Sequence, residues 1–446
     1  MITQLLLSAA LSPGQPPATL PATQPPMVLP GTAAPAPNLP MTIPQQGTPA
    51  PVVAGTPAPV YVNALPAAPC NTCTPAEEKK DDGPKTMFMK AVQGTPIGDF
   101  LSANRLNVTG FADLRYTGTN VNRLSNIPAG MGFSYNRDLP QFLWTTVERT
   151  VDTKSDEVSW GFRADVLGGS TYQYTLQRGL LTYQLRDNDG GPNRYGFDPV
   201  QAYLEFYVPG VAKGLDVKVG RSFVRFGYES LNPTQTVLPS WSYAFTYNPY
   251  TQTGVFTETK LNDDWTMQND FLIGNDNFFD NSNRFYYWGS LQWAPEKGKT
   301  SIKAGALLGY GRFDTSNNFN NPQLIDAVLT HKLTDDLTYA LEFLYGWQHD
   351  VPQVGFAQWY HFVNYLTYKI DDKWSTTARV EFFDDIDGNR TGFAGFYNSY
   401  TLGVTWKPCD SVMIRPEVRY DRCLNNTPFD GRKDFFGGMI NAIFVW

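Results

Sequence analysis

An all-β chain is predicted: about sixteen antiparallel strands closed into a transmembrane barrel, preceded by a proline-rich N-terminal segment. Three observations predict it. A polar hinge, KLNDDWT at 260–266, returns as KLTDDLT at 332–338 and as KIDDKWS at 369–375. From Leu106 to the end, apolar and polar residues alternate with the two-residue period of a half-buried strand. The 446 residues include 29 Phe, 24 Tyr and 11 Trp against only 17% charged residues, and rings suit a pleated, half-buried surface.

Residues 1–11, MITQLLLSAAL, have the apolar core and small residues of a secretory signal, although no Lys or Arg precedes them, so the segment reads as an incomplete signal. Residues 12–84 hold more than half of the 34 prolines and a single aromatic, Tyr61. Such a stretch cannot bury enough apolar surface to fold, and a disordered linker is expected. Cys70 and Cys73 lie within it, with no second pair or nearby His to complete a zinc site. Residues 85–105 form a lead-in in which one short helix is expected.

Beyond 105 the hinge sets the count. Lys260, Glu296, Lys332, Lys369 and Lys407 mark equivalent turns at intervals of 36, 36, 37 and 38 residues, and each interval holds two long strands and one longer connection. The same short turns recur around Lys213 and Lys154, so seven short turns alternate with eight long loops. Strands are expected at 106–120, 141–152, 157–169, 197–208, 215–227, 253–262, 264–275, 283–294, 300–313, 324–334, 337–348, 357–370, 374–385, 395–407, 412–423 and 433–446. A propeller blade would need four short strands in such a repeat, whereas these are long enough to cross a bilayer at a tilt.

A β-chain can span lipid only as a closed barrel, because every backbone polar group must be satisfied internally. Trp160, Trp265, Trp293, Trp374, Trp406 and Trp446 fall beside the short turns or the C-terminus, where indoles rest at lipid headgroups, and Trp144, Trp288, Trp347 and Trp359 fall near the opposite ends. The other strand face carries Asp113, Arg115, Arg163, Asp165, Glu205, Asp270, Arg379, Glu381, Arg415, Glu417 and Arg419, a set of ions that suits a wet lumen better than a packed core. No apolar run is long enough for a spanning helix, and a net charge of −7 without a basic cluster argues against nucleic acid as a partner.

The stretches NVTGFADLRYTGTNVN at the first strand, GRSFVRFGYESL at 220–231 and SYAFTYNPYTQTGVFTETKLNDDWTMQNDFLIGND at 242–276 make residues 100–446 resemble the β-barrel porins described as OmpL-like. The resemblance implies an outer-membrane pore of a diderm bacterium for passive diffusion of small polar solutes or ions, embedded in outer-membrane lipid and without cofactor or metal. Ile440, Ala442, Phe444 and Trp446 share one face of a terminal strand like those used by the barrel-assembly machinery. A homotrimer, and a cell-wall contact through the proline-rich linker, are compatible with it.

By analogy with trimeric general porins, the third long loop, 228–252, narrows the channel. Glu229, Trp241, Tyr243, Phe245 and Tyr247 would project inward, facing Arg221 and Arg225, and a bulge at Gly220 would be needed to bring Lys218 to the same face. A rigid aromatic surface loop is the other account of the segment. The slight excess of acids leans toward cations, and the rings are compatible with saccharides. Asp187–Gly190 and Asp385–Gly388 have calcium-loop beginnings but lack the closing carboxylate, so they read as polar external turns. Only His331, His349 and His361 are available as bases, in no hydrolase motif, so no enzyme is expected. A secreted or surface-attached β-rich adhesin or carbohydrate binder is the alternative. Cys409 and Cys423 fall at opposite ends of one strand and should not pair.

Overall fold

The computed structural model describes residues 86–121, 128, 140–177, 180–187, 191, 193–278, 284–313 and 321–446. The signal segment, the proline-rich linker with Cys70 and Cys73, and residues 188–190 of the first calcium-like turn lie outside the described residues. The lead-in is two helices rather than one, α1 (Met87–Val92) and α2 (Pro96–Ala103). Gly94 at φ 73° breaks the run, and the side chains of Thr86 and Thr95 accept from Met89 N and Gly98 N to start each helix.

Sixteen strands follow: β1 (Asn107–Thr119), β2 (Phe142–Arg149), β3 (Ser159–Gly169), β4 (Gly196–Val208), β5 (Leu215–Phe223), β6 (Thr251–Lys260), β7 (Trp265–Asn275), β8 (Tyr286–Trp293), β9 (Thr300–Gly309), β10 (Gln323–Lys332), β11 (Leu337–Val351), β12 (Gly355–Lys369), β13 (Trp374–Asp385), β14 (Gly395–Cys409), β15 (Val412–Cys423) and β16 (Asp434–Val445). Each pairs antiparallel with its sequence neighbours, and β1 closes on β16 with Phe111 opposite Val445, so the sheet has no free edge. Every expected strand is matched by an observed one. Two four-residue helices sit in the connections, α3 (Tyr172–Thr175) and α4 (Tyr243–Thr246).

The repeated hinge has a common mechanism. Its third residue, Asn262, Thr334 or Asp371, turns its side chain onto the two backbone amides that open the next strand: Asp264 and Trp265, Asp336 and Leu337, Lys373 and Trp374. The residue before it closes the hairpin, as in Leu261 N to Trp265 O at 2.9 Å and Ile370 N to Trp374 O at 2.9 Å. Any short oxygen-bearing side chain serves, which is why the position reads Asn, Thr or Asp. The exposed acids of these turns are acidified by bonded lysines: Lys213 lowers the Asp263 carboxyl below the usual range, and Lys369 does so for Asp372.

One outer connection departs from expectation. Residues 352–354 form a three-residue turn, because β11 and β12 continue pairing to Val351 and Gly355 through an irregularity after Gln348. Leu204, Phe206, Val219, Phe271, Leu291 and Leu402 are exposed on the outer face. Trp160, Trp265 and Trp374 are exposed near the short turns, with Trp293 opposite Trp265 and Trp406 stacked on Trp374 at 5.4 Å between centroids. At the other end the expectation fails for three tryptophans. Trp144, Trp288 and Trp359 share parity with the buried residues and point inward, their indole N–H groups donating to Thr146, Gln268 and Asn248. Trp347 stays on the outer face, stacked on Tyr345 at 5.3 Å.

The bulge expected at Gly220 is absent from the register, since Tyr203, Gly220 and Gly254 pair in unbroken ladders. Gly220 instead takes φ 141°, and both Lys218 and Arg221 are buried around it. A Cβ there would stand 2.3 Å from Ala202 O, so Gly220→Ala should destabilise the barrel by about 1–3 kcal/mol, read as a lower denaturant midpoint in lipid vesicles. Cys409 is exposed and Cys423 buried, both free, at opposite ends of the β14–β15 ladder. Non-reduced peptide mapping should return no 409–423 bridge.

Candidate functional site

Strand alternation puts one set of charges on the buried face of a closed barrel. Asp113 meets Arg115 at 2.6 Å, Arg163 meets Glu148 and Asp165 at 2.9 Å each, Lys218 meets Glu205 at 3.3 Å, and Arg419 meets Asp421 at 2.9 Å. Glu381, Arg415 and Glu417 lie on the same face, and Asp270 is 3.6 Å from Arg225. A packed interior of this kind is tolerable only where each ion finds a partner.

The connection between β5 and β6, residues 224–250, supplies most of those partners. Its polypeptide has no ladder inside the barrel, so its amides and carbonyls need acceptors and donors from elsewhere. Wall acids take the N–H groups. Asp326 accepts from Gly227 at 2.9 Å, Glu342 from Tyr228 at 3.1 Å, Glu417 from Ser240 at 3.1 Å, and Glu381 from both Tyr243 and Ala244 at 2.8 Å. Wall bases take the carbonyls. Arg115 donates to Pro239 O at 2.7 Å, Arg379 to Ser240 O at 2.7 Å, Arg415 to Thr236 O at 2.8 Å and Arg419 to Trp241 O at 2.6 Å. Arg390, from the 386–394 connection, reaches Tyr247 O, and Lys303 reaches Arg225 O.

Inside the loop, Glu229 accepts from the amide and hydroxyl of Ser242 at 2.8 Å each, and it pairs with Arg379 at 2.7 Å. Glu229 therefore faces β13, not Arg221 or Arg225 as the sequence suggests. Arg221 is bound to Asp198 at 2.7 Å and to Thr175 O of the 170–195 connection. Trp241 stacks on Phe245 at 5.4 Å and lies 4.6 Å from the Arg115 guanidinium. Tyr243 packs on Phe383 at 5.2 Å and donates to Asp421 at 3.1 Å, while Tyr247 stacks on Phe383 at 5.8 Å. Of the two accounts of this segment, an inward loop is the one the geometry matches.

Several residues of this network escape the sequence. Lys303, Asp326 and Glu342 follow the same alternation and could have been found by parity on their strands. Asp198 could not, because a register shift between β3 and β4, where Asp165 pairs with Gln201 but Leu167 with Asp198, changes which β4 residues face inward. The second calcium-like turn is occupied with its own loop: Asp385 accepts from the amides of Arg390 and Thr391 and from the Thr391 hydroxyl, and Asp387 accepts from Gln358 N. The histidines are dispersed. His331 contacts Thr300 at 2.7 Å, His349 bridges to Arg312, and His361 stacks on Phe383 at 4.1 Å beside Glu381.

A family model described as "Putative beta-barrel porin-2, OmpL-like" matches residues 105–444, essentially the whole barrel. The chain belongs to this family. The OmpL-like porin is accordingly an outer-membrane barrel that lets solutes pass. No curated protein sequence matches it. Its fold is similar to an anion-selective porin from Comamonas acidovorans (TM-score 0.52, 7% identity, covering 76% of this chain and 99% of that one). It is also similar to OprB of Pseudomonas putida (TM-score 0.52, 11% identity, covering 79% and 96%).

The Glu381 clamp is directly testable. Glu381→Ala in the OmpL-like porin leaves two buried amides without acceptors, a loss of about 2–4 kcal/mol locally. Hydrogen exchange at Tyr243 and Ala244 should accelerate by roughly 30-fold or more, with the strand amides of β1–β4 unchanged.

Proposed function

We propose that the barrel is a diffusion porin with a narrow passage, bounded on one side by the 224–250 loop and on the other by the wall of β4–β7, for small polar solutes and ions. The observation that carries it is a cluster of unsatisfied charge between the loop and that wall. Both carboxylate oxygens of Asp216, Glu205 Oε1 and Asp270 Oδ2 on the wall, and Nε and Nη2 of Arg225 on the loop, are buried without a hydrogen-bond partner, whereas Asp326, Arg379, Arg415, Glu417 and Arg419 elsewhere leave one such atom each. Burying so many charged atoms unsolvated would be prohibitive, so water occupies this side. Its acids, Glu205, Asp216, Glu258 and Asp270, outnumber Lys218 and Arg225, which supports a weak cation preference.

The aromatic side of the loop supports a structural role rather than a sugar track, since Trp241, Tyr243 and Phe245 are buried by packing on one another and on the wall. Catalysis is no part of the reading: His361, the histidine nearest a carboxylate, is sealed between Phe383 and Glu381. Membrane insertion by the barrel-assembly machinery, trimerisation, and a wall contact through residues 12–84 complete the proposal.

Single-channel recording in planar bilayers tests it. The wild type should pass small steps, and Arg379→Gln combined with Glu381→Gln should raise conductance roughly two- to threefold by loosening the loop. Asp216→Asn and Arg225→Gln should shift the reversal potential in opposite directions, the first toward anions. A wild type that folds but passes no current would refute the open passage.

A further inference from the structure

On the other side of the loop, at the short-turn end, the local charge has the opposite sign. A cavity of about 50 Å³ lies between residues 234–237 and the turn-proximal ends of β12–β15. Six hydroxyls, of Thr234, Thr236, Thr367, Ser375, Thr377 and Thr405, and the Lys407 ammonium line it beside Val237 and Met413, and no carboxylate is among the lining residues. The Lys407 ammonium makes no hydrogen bond or ion pair among the described residues. Behind Thr236 stands Arg415. Its Nη1 is bonded to Thr236 and its Nε to Asn441 Oδ1 at 3.1 Å, but Nη2 is buried with no partner.

Two of the acids nearby are engaged elsewhere and a third in part. Asp113 is held by Arg115 and accepts from Asn441 at 3.0 Å, Asp372 is tied to Lys369 at 2.6 Å across the turn, and Glu417 turns Oε2 to Ser240 N while its Oε1 has no hydrogen-bond partner. Two positive charges and the hydroxyls of Ser375 and Thr405, which make no hydrogen bond among the described residues, match the oxygens of a small oxyanion in a space that holds only a few waters, while the Thr234 and Thr236 hydroxyls already donate to Asn232 Oδ1 and Leu238 O.

We propose that the turn-proximal end of the pore carries a subsite for small oxyanions of the phosphate class, formed by Lys407 and the threonine and serine hydroxyls and backed by Arg415. The site rests on the porin reading for its role, as the last station of an anion leaving or the first of one entering, but not for its binding chemistry. Anions would then bind against the general electrostatic bias of the β4–β7 sector, on a separate flank of the loop.

Inorganic phosphate is the probe, with chloride at matched ionic strength as control. For the full-length barrel in detergent, phosphate should raise the unfolding temperature. Lys407→Gln should raise the half-effect concentration roughly tenfold, the loss of one charge-assisted contact, whereas Lys407→Arg should retain most of the effect. In bilayers, phosphate should reduce the KCl current at lower concentration from the short-turn side than from the long-loop side. If Lys407→Gln does not fold in chloride alone, Thr377→Val takes its place with the same expected direction. Equal phosphate dependence in wild type and variant overturns the subsite. Absence of KCl current in a phosphate-responsive barrel instead overturns the porin reading and leaves the subsite standing.

Discussion

A backbone amide removed from water has to find another hydrogen-bond partner, and two successive applications of that constraint build this molecule. In the wall the partner is the next strand, so the sheet closes from β1 to β16 and leaves no edge to the lipid. Within the barrel the β5–β6 connection has no strand to lie against. Its amides and carbonyls are satisfied by carboxylates and guanidiniums from β1, β10, β11, β13 and β15. The charges on the inner face are therefore less a lining for water than the missing ladder of an irregular loop.

That assignment decides an energetic question the composition leaves open. Desolvating an isolated ion costs several kcal/mol, and a bare salt bridge inside a protein often fails to recover it. Here many of the ions also meet backbone dipoles of the right sign. Arg379 pairs with Glu229 and donates to two carbonyls, while Glu381 takes two amides beside His361. Charge-assisted bonds to backbone contribute roughly twice a neutral one, and several converge on each side chain. Between Arg225 of the loop and the β4–β7 wall, a cluster of charged atoms goes without protein hydrogen-bond partners, and water is the remaining means of solvating them.

How much of this was legible follows from the range of each interaction. The turns were legible because Asn262, Thr334 and Asp371 act on amides two and three residues away, so a local motif carries the whole device. The strands were legible because alternation has to hold along every one of them. The pairing of Glu229 with Arg379 spans 150 residues and no local pattern encodes it. Trp144, Trp288 and Trp359 misled because a tryptophan near a strand end fits a membrane girdle or an inner packing layer equally well, and only their parity against Thr146, Ser290 and His361 separates the two. The short 352–354 turn was hidden because strand pairing beyond the bilayer uses the same alternation as pairing within it.

The breadth of the loop's attachments bears on whether the passage is gated. A lid swings on two hinges and breaks few contacts. Residues 227–247 are instead tied to five strands and to the 386–394 connection, along the arc of the wall from β10 round to β1. Lifting the segment would strand Asp326, Glu342, Glu381, Glu417, Arg115, Arg379, Arg415 and Arg419 together, each a buried charge then short of a partner. Charges so stranded would need water to flood the barrel at the same moment, and intermediate positions of the loop satisfy neither arrangement. The loop is thus a fixed part of the wall's own electrostatics, and under the proposed passage selectivity is changed by substituting the side chains that face the remaining water rather than by moving the loop.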